Sequence, residues 1–273
     1  MTAAEPFNRQ TIFKTLKTNK MAKQVGILPL EGRIENLTFY RTANGYSVQK
    51  VKGVSKETVA TSPAFQRTRE NMAEFARAVS ASKLLRMALS DAISGSKDSR
   101  MNNRLNTVML KAVKLDQVSD RGFRNVLDGE LQILEGFDFN KAASFEQTFD
   151  GGIRSSFDRV TGVCTLEVDS FQMEKKLKKP DGATHFRFLM AAAAINFETG
   201  VKESVSAESE YIAYALSGVV DPLNISVSLS ENSEHPVMLA VTIEFVQEIN
   251  GKMYSIKNGS HNACILHRVD TNV

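Results

Sequence analysis

The sequence predicts an α+β protein, with an N-terminal β-hairpin and helices followed by a C-terminal antiparallel β-sandwich. Three observations carry that prediction. Hydrophobic periodicity is helical between residues 63 and 117 and becomes two-residue alternation from residue 144. The second half reads as seven to nine short strands spaced by turns. The charge also divides: residues 1–139 hold 22 Lys and Arg against 14 Asp and Glu, whereas residues 140–273 hold 12 against 17. The whole-chain net of +3 hides this contrast. The expected organisation is a disordered basic arm over 1–25, a basic hairpin-plus-helix domain over 26–140, and a sandwich domain over 141–273.

Residues 33–52 read as the hairpin. Ile34, Leu37, Phe39 and Tyr40 form one arm, Tyr46, Val48 and Val51 the other, and Asn44-Gly45 supplies residues that tolerate positive φ. Thr61-Ser62-Pro63 then reads as a helix start, with Ser62 as cap and Pro63 at the first helical position. The helix is expected to run to Ile93. At ~100° per residue Phe65, Met72, Phe75, Ala76 and Val79 share one face, which is assigned to the core. Leu84, Leu85, Leu89 and Ile93 then occupy other faces, so a kink or burial from several sides is expected after Ser80-Ala81-Ser82. Ser94-Gly95-Ser96 ends the helix. A second covers 99–117, with Met101, Leu105, Val108, Met109, Ala112 and Leu115 inward, and Leu127 to Leu134 suit a third, short one.

Strands are expected at Phe145 to Phe149, Val163 to Val168, Thr184 to Phe197, Ile225 to Leu229, Val237 to Ile249, Lys252 to Ile256 and Ser260 to Val269. Asn250-Gly251 is the strongest hairpin signal among them. The run Lys175 to Lys179 before Pro180-Asp181-Gly182 reads as a solvated loop.

Little in the chain points to catalysis. It contains no Gly-x-Ser-x-Gly elbow, Walker loop or Gly-x-Gly-x-x-Gly, and a Ser-His-Asp arrangement would have to assemble in space. His261-x-x-Cys264-x-x-His267 has zinc-binding residue types, but strand alternation puts the histidines on one side and Cys264 on the other. No metal and no cofactor is expected. The two cysteines, Cys164 and Cys264, lie in apolar runs and read as buried free thiols, which fits a reducing, cytoplasmic setting. The longest apolar run, Phe188 to Ile195, falls short of the ~18 residues of a membrane span. Residues 1–20 lack a hydrophobic signal core and read as a disordered tail, a misassigned start or a basic arm.

The basic N-terminal half is the main functional signal. Arg33 to Arg124 hold 17 basic and 8 acidic residues. Arg67, Arg69, Arg77, Lys83, Arg86, Arg100, Arg104, Lys111, Lys114, Arg121 and Arg124 lie on or beside the helices. That density suits phosphates or an acidic protein surface. On the first helix the cations spread around the axis instead of forming a stripe, and Glu70 and Glu74 interleave with them.

Lys52-Gly53-Val54-Ser55, the stretch Ser62 to Asn71, Glu74-Phe75-Ala76-Arg77, Ser82 to Arg86 and Leu134 to Phe139 resemble a family of Bacteroidota proteins with no assigned activity. The resemblance covers residues 32–140, implies a bacterial source and transfers no site. The expected function is a non-enzymatic structural subunit that assembles with itself through charge-complementary halves. A nucleic-acid-binding protein using the same arginines, and a sandwich binding a ligand or carbohydrate, are the alternatives.

Overall fold

A computed structural model describes residues 22–23, 30–43, 45–50, 53–215, 217–256 and 259–271. The chain divides between Ser62 and Pro63 into two compact units. Most of the expected arm, and the turn residue Asn44 with Val51 and Lys52, lie outside the described residues.

The first unit is an antiparallel sheet of β1 (Ala22–Lys23), β2 (Gly32–Ile34), β3 (Leu37–Thr42) and β4 (Gly45–Lys50), in the order β1-β4-β3-β2, followed by α1 (Lys56–Thr61). Strands β3 and β4 pair as the hairpin, with Phe39 opposite Val48 and Arg41 opposite Tyr46. The Arg41 guanidinium lies 5.9 Å from the Tyr46 ring centre. Among residues 30–43, 45–50 and 53–62 of this unit none is buried. Ser55 caps α1 by accepting from the Thr58 amide at 3.1 Å.

The second unit opens with a 3-10 turn, Pro63–Phe65, so the α-helix begins at Gln66 and not at Pro63. Helix α2 (Gln66–Ala88) runs unbroken past Ser80–Ser82, after which a kink or burial from several sides is expected, and breaks at Leu89; α3 (Ser90–Ile93) and α4 (Met101–Lys114) follow. The expected third helix is a 3-10 turn, Leu131–Leu134. Strand β5 (Phe137–Asp138) and the single turn α5 (Phe145–Thr148) come next. The Phe145 segment, expected as a strand, is thus helical, and Phe149 makes only one bridge, to Leu177. The rest is β6 (Ile153–Phe157), β7 (Val163–Val168), β8 (Phe171–Gln172), α6 (Met173–Lys176), β9 (His185–Ile195), β10 (Lys202–Glu208), β11 (Ile212–Ala213), β12 (Val219–Val220), β13 (Leu223–Ser228), β14 (Val237–Ile249), β15 (Lys252–Ser255) and β16 (Ala263–Asp270). Helix α6 therefore takes up the start of the expected lysine loop.

The central sheet has the order β10-β9-β14-β16-β5, all antiparallel. Its inner strands are apolar on both faces: every residue from Phe188 to Ile195 except Leu189 is buried, as is every residue from Val237 to Ile243. Such a sheet needs cover on both sides. On one face Ala191, Ala193, Ile195, Met238, Ala240, Cys264 and Leu266 pack against Leu85, Leu89, Ile93, Leu105 and Met109 of the helices. The small alanines let the helices approach closely. Thr242 Oγ1 donates to Ala92 O at 3.0 Å and Asn262 Nδ2 to Gly95 O at 3.0 Å, tying α3 to the sheet. On the other face Phe186, Phe188, Val241 and Phe245 pack against Leu166, Val168 and Ile225 of a three-stranded sheet ordered β13-β7-β6.

The mixed α+β class holds, but the division expected near residue 140 does not match this packing. The helices do not form a domain beside the strands. They cover one face of the central sheet, and β5, from before residue 140, pairs with the last strand (Leu266 opposite Phe137). The shared core follows from the two-faced strands, which alternation alone does not reveal. No helix among the described residues is long and apolar enough to cross a membrane.

Candidate functional site

Helix α2 has two faces, and in its first half the large apolar side chains Met72 and Phe75 point away from the core, while Leu85 enters it near the C-terminal end. Its buried positions are Glu74, Ala78, Ala81, Ser82, Leu85 and Ala88. The stripe assigned inward from its spacing lies outward instead: Met72 is 59% exposed and Phe75 50%, with Ala76 exposed and Phe65 and Val79 half-buried beside them. The small residues win the core side because α2 packs tightly on α4 and on the alanine-rich strands. Leu115, also expected inward, is 46% exposed at the end of α4.

Both carboxylates of α2 turn away from this outward face to hold the loop that follows α4. Glu74 accepts from the Gly122 amide at 2.9 Å, and Glu70 pairs with Arg121 at 3.4 Å. Gly122 has φ +90°, and a Cβ there would come within 2.8 Å of Glu70 Cγ, so the close approach needs glycine. Arg77 reaches into the same loop, donating from Nε to Arg124 O at 2.6 Å and from Nη2 to Gly122 O. Buried Asp116 closes it. Burial would push its carboxyl up, but backbone amides of Ser119, Asn125 and Val118 outweigh burial and hold it down to about 2.

The predicted cations therefore separate into two groups. Arg77, Arg104 and Arg121 are engaged within the fold. Arg104 pairs with Asp98, donates to Asp138 O at 2.7 Å and lies 5.1 Å from the Phe137 ring centre. Arg124 is half-buried beside Arg77, and Arg69 is half-buried. Arg67, Lys83, Arg100, Lys111 and Lys114 are exposed, and Arg86 is half-buried. Only two of the eleven, Lys83 and Arg86, line a common cleft. It has a volume of ≈ 530 Å³, and Lys97, Asp98, Ser90, Ser94, Ser99 and Asn102 complete its polar wall. Sequence reasoning missed Lys97 and the serines. The Ser94-Gly95-Ser96-Lys97 turn was the available signal, because that break brings the end of α2 beside the start of α4.

A second surface of opposite character lies at the strand edges. A groove of ≈ 400 Å³ between β10 and β13 has Ala207, Ile212, Leu223 and Ile225 as apolar lining and Glu208 and Glu210 as its only charged residues. Glu208 pairs with Arg187 at 2.5 Å. In the order of the two sheets, β10 and β13 are both edge strands.

The residues weighed for chemistry are held apart or spent. Among the described residues no group of three or more His, Cys, Asp or Glu is placed to hold a metal. Cys164 and Cys264 are free and sit in different cores, and burial pushes both thiols up to about 12. His267 Nδ1 lies 2.7 Å from Ser155 Oγ, and burial lowers its proton affinity. No carboxylate among the described residues hydrogen-bonds its other ring nitrogen, so the pair lacks the third member of a triad. No protein-family model, no curated protein and no solved structure matches the chain.

Proposed function

We propose that the chain is a non-enzymatic structural subunit of a self-assembling complex, a filament, ring or shell, in which the outward face of α2 docks on a second copy. The observation that carries this reading is the stripe of Met72, Phe75, Ala76 and Val79, which the second unit's own core leaves uncovered. Contiguous exposed apolar residues on a helix mark contact surfaces. The stripe continues into Lys83 and Arg86 and carries no carboxylate. The β10–β13 groove is its complement, apolar at the base and carrying Glu210 at the rim, with Glu208 there already paired to Arg187. Two different surfaces of one chain that fit each other make a heterologous contact, which propagates or closes on itself. Charge opposition steers the encounter.

The test is the double substitution Met72→Asp with Phe75→Asp, followed by sedimentation velocity. The expected result is a fall of the native mass to 30.2 kDa with the thermal midpoint shifted by less than about 3 °C, because neither side chain is buried. An unchanged assembled mass would remove α2 from the interface.

A further inference from the structure

We infer that the cleft at the C-terminal end of α2 is a binding site for a compact phosphate-bearing ligand; it shares Lys83 and Arg86 with the face proposed above but rests on a separate observation, their convergence with Lys97. Three cations converge on it: Lys83 and Arg86 from the outward side of α2 and Lys97 from the turn before α4. Ser94 and Ser99 add hydroxyl donors and Asn102 an amide, whereas the Ser90 hydroxyl donates to Asp91 Oδ1 at 3.4 Å. Met87, Ile93 and Met101 give the cleft an apolar base. The one carboxylate in its lining, Asp98, is already engaged: it pairs with Arg104 and accepts from the Arg100 amide at 2.7 Å and the Lys141 amide at 2.9 Å. It therefore leaves the three cations without a counter-charge of their own in the cleft. The first turn of α4, which holds no acidic residue, adds its dipole to that field.

The shape argues for a small anion over a nucleic-acid strand. A strand needs cations spaced along a continuous track. Here Arg77, Arg104 and Arg121 turn inward to loops, while Lys111 and Lys114 lie at the far end of α4. A volume of ≈ 530 Å³ accommodates a phosphorylated metabolite-sized molecule. Its phosphoryl oxygens would meet the lysines and Arg86, and its apolar part would rest on Met87 and Met101.

Isothermal titration of the full chain with pyrophosphate, at constant ionic strength, tests the site. Saturable binding is expected, weakened about tenfold or more by Lys97→Glu and by Lys83→Glu and less than about twofold by Lys114→Glu, which changes the net charge equally. All three lysines are exposed, so the variants keep the wild-type melting profile. Absence of saturable heat would overturn the inference. So would equal weakening by all three substitutions, which would assign the heat to a diffuse basic field. A short single-stranded oligonucleotide that binds more tightly than pyrophosphate and responds to Lys114→Glu would overturn it in favour of a polyanion surface.

Discussion

Phe188→Ala is expected to lower the stability of the second unit by about 3–5 kcal/mol. Phe188 is fully buried on β9, on the face turned to the three-stranded sheet. Its ring centre lies 5.3 Å from that of Phe149, 6.3 Å from Phe171 and 6.1 Å from Phe186, each near edge-to-face. Truncation removes the transfer free energy of the ring and opens a cavity walled by rings from β8, from β9 itself and from the segment after α5, so the walls have little freedom to collapse. Phe188→Leu fills most of that volume and should cost less than half as much. Urea unfolding followed by circular dichroism measures both. A loss below about 1 kcal/mol for the alanine variant would mean that the two sheets do not share a close-packed core.

Asp116→Asn is expected to cost about 1–3 kcal/mol at neutral pH and to loosen the loop that α2 holds. The carboxylate accepts from the amides of Val118 and Ser119 on one oxygen and of Asn125 on the other. An asparagine of the same size must turn an NH2 group towards at least one of those amides, donor against donor. The pH dependence follows from the direction of the shift. The folded-state carboxyl lies at about 2, below its ordinary 3.8. Its contribution is therefore complete above the ordinary carboxylate range and is lost as pH falls through about 2. The stability gap between wild type and variant should narrow on acidification across that window, and amide exchange at Val118, Ser119 and Asn125 should report it. A gap that widens towards acid pH would contradict the assignment.

The sequence was most legible where local chemistry decides the structure. Asn250-Gly251 sits where its spacing places it, between β14 and β15, with φ values of 52° and 75°. The helical period of 101–114 and the long strands β9 and β14 were equally clear. What failed was the assignment of faces. The spacing of Phe65, Met72, Phe75 and Val79 identified a real stripe, but side-chain size suggested the core, and the core side of α2 is built from Ala78, Ala81, Ser82 and Ala88 instead. Small residues carry little hydrophobic signal, yet they permit the closest approach of helix to helix and helix to sheet. The same limit hid the shared core, because Ala191, Ala193 and Ala240 are what let the helices dock. The candidate cleft was half legible. Lys83 and Arg86 were singled out by type, whereas Lys97 joins them only because the chain reverses at Gly95. That reversal is held by Asn262, 167 residues away in sequence, and the turning of Arg77, Arg104 and Arg121 into loops likewise depends on distant partners such as Arg124, Asp138 and Glu70.

The native mass of the wild-type chain, by light scattering after size exclusion at moderate salt and at two concentrations about tenfold apart, tests the proposal of self-assembly most directly. A mass that is a multiple of 30.2 kDa and grows with concentration is expected. A mass of 30.2 kDa at both concentrations would contradict it.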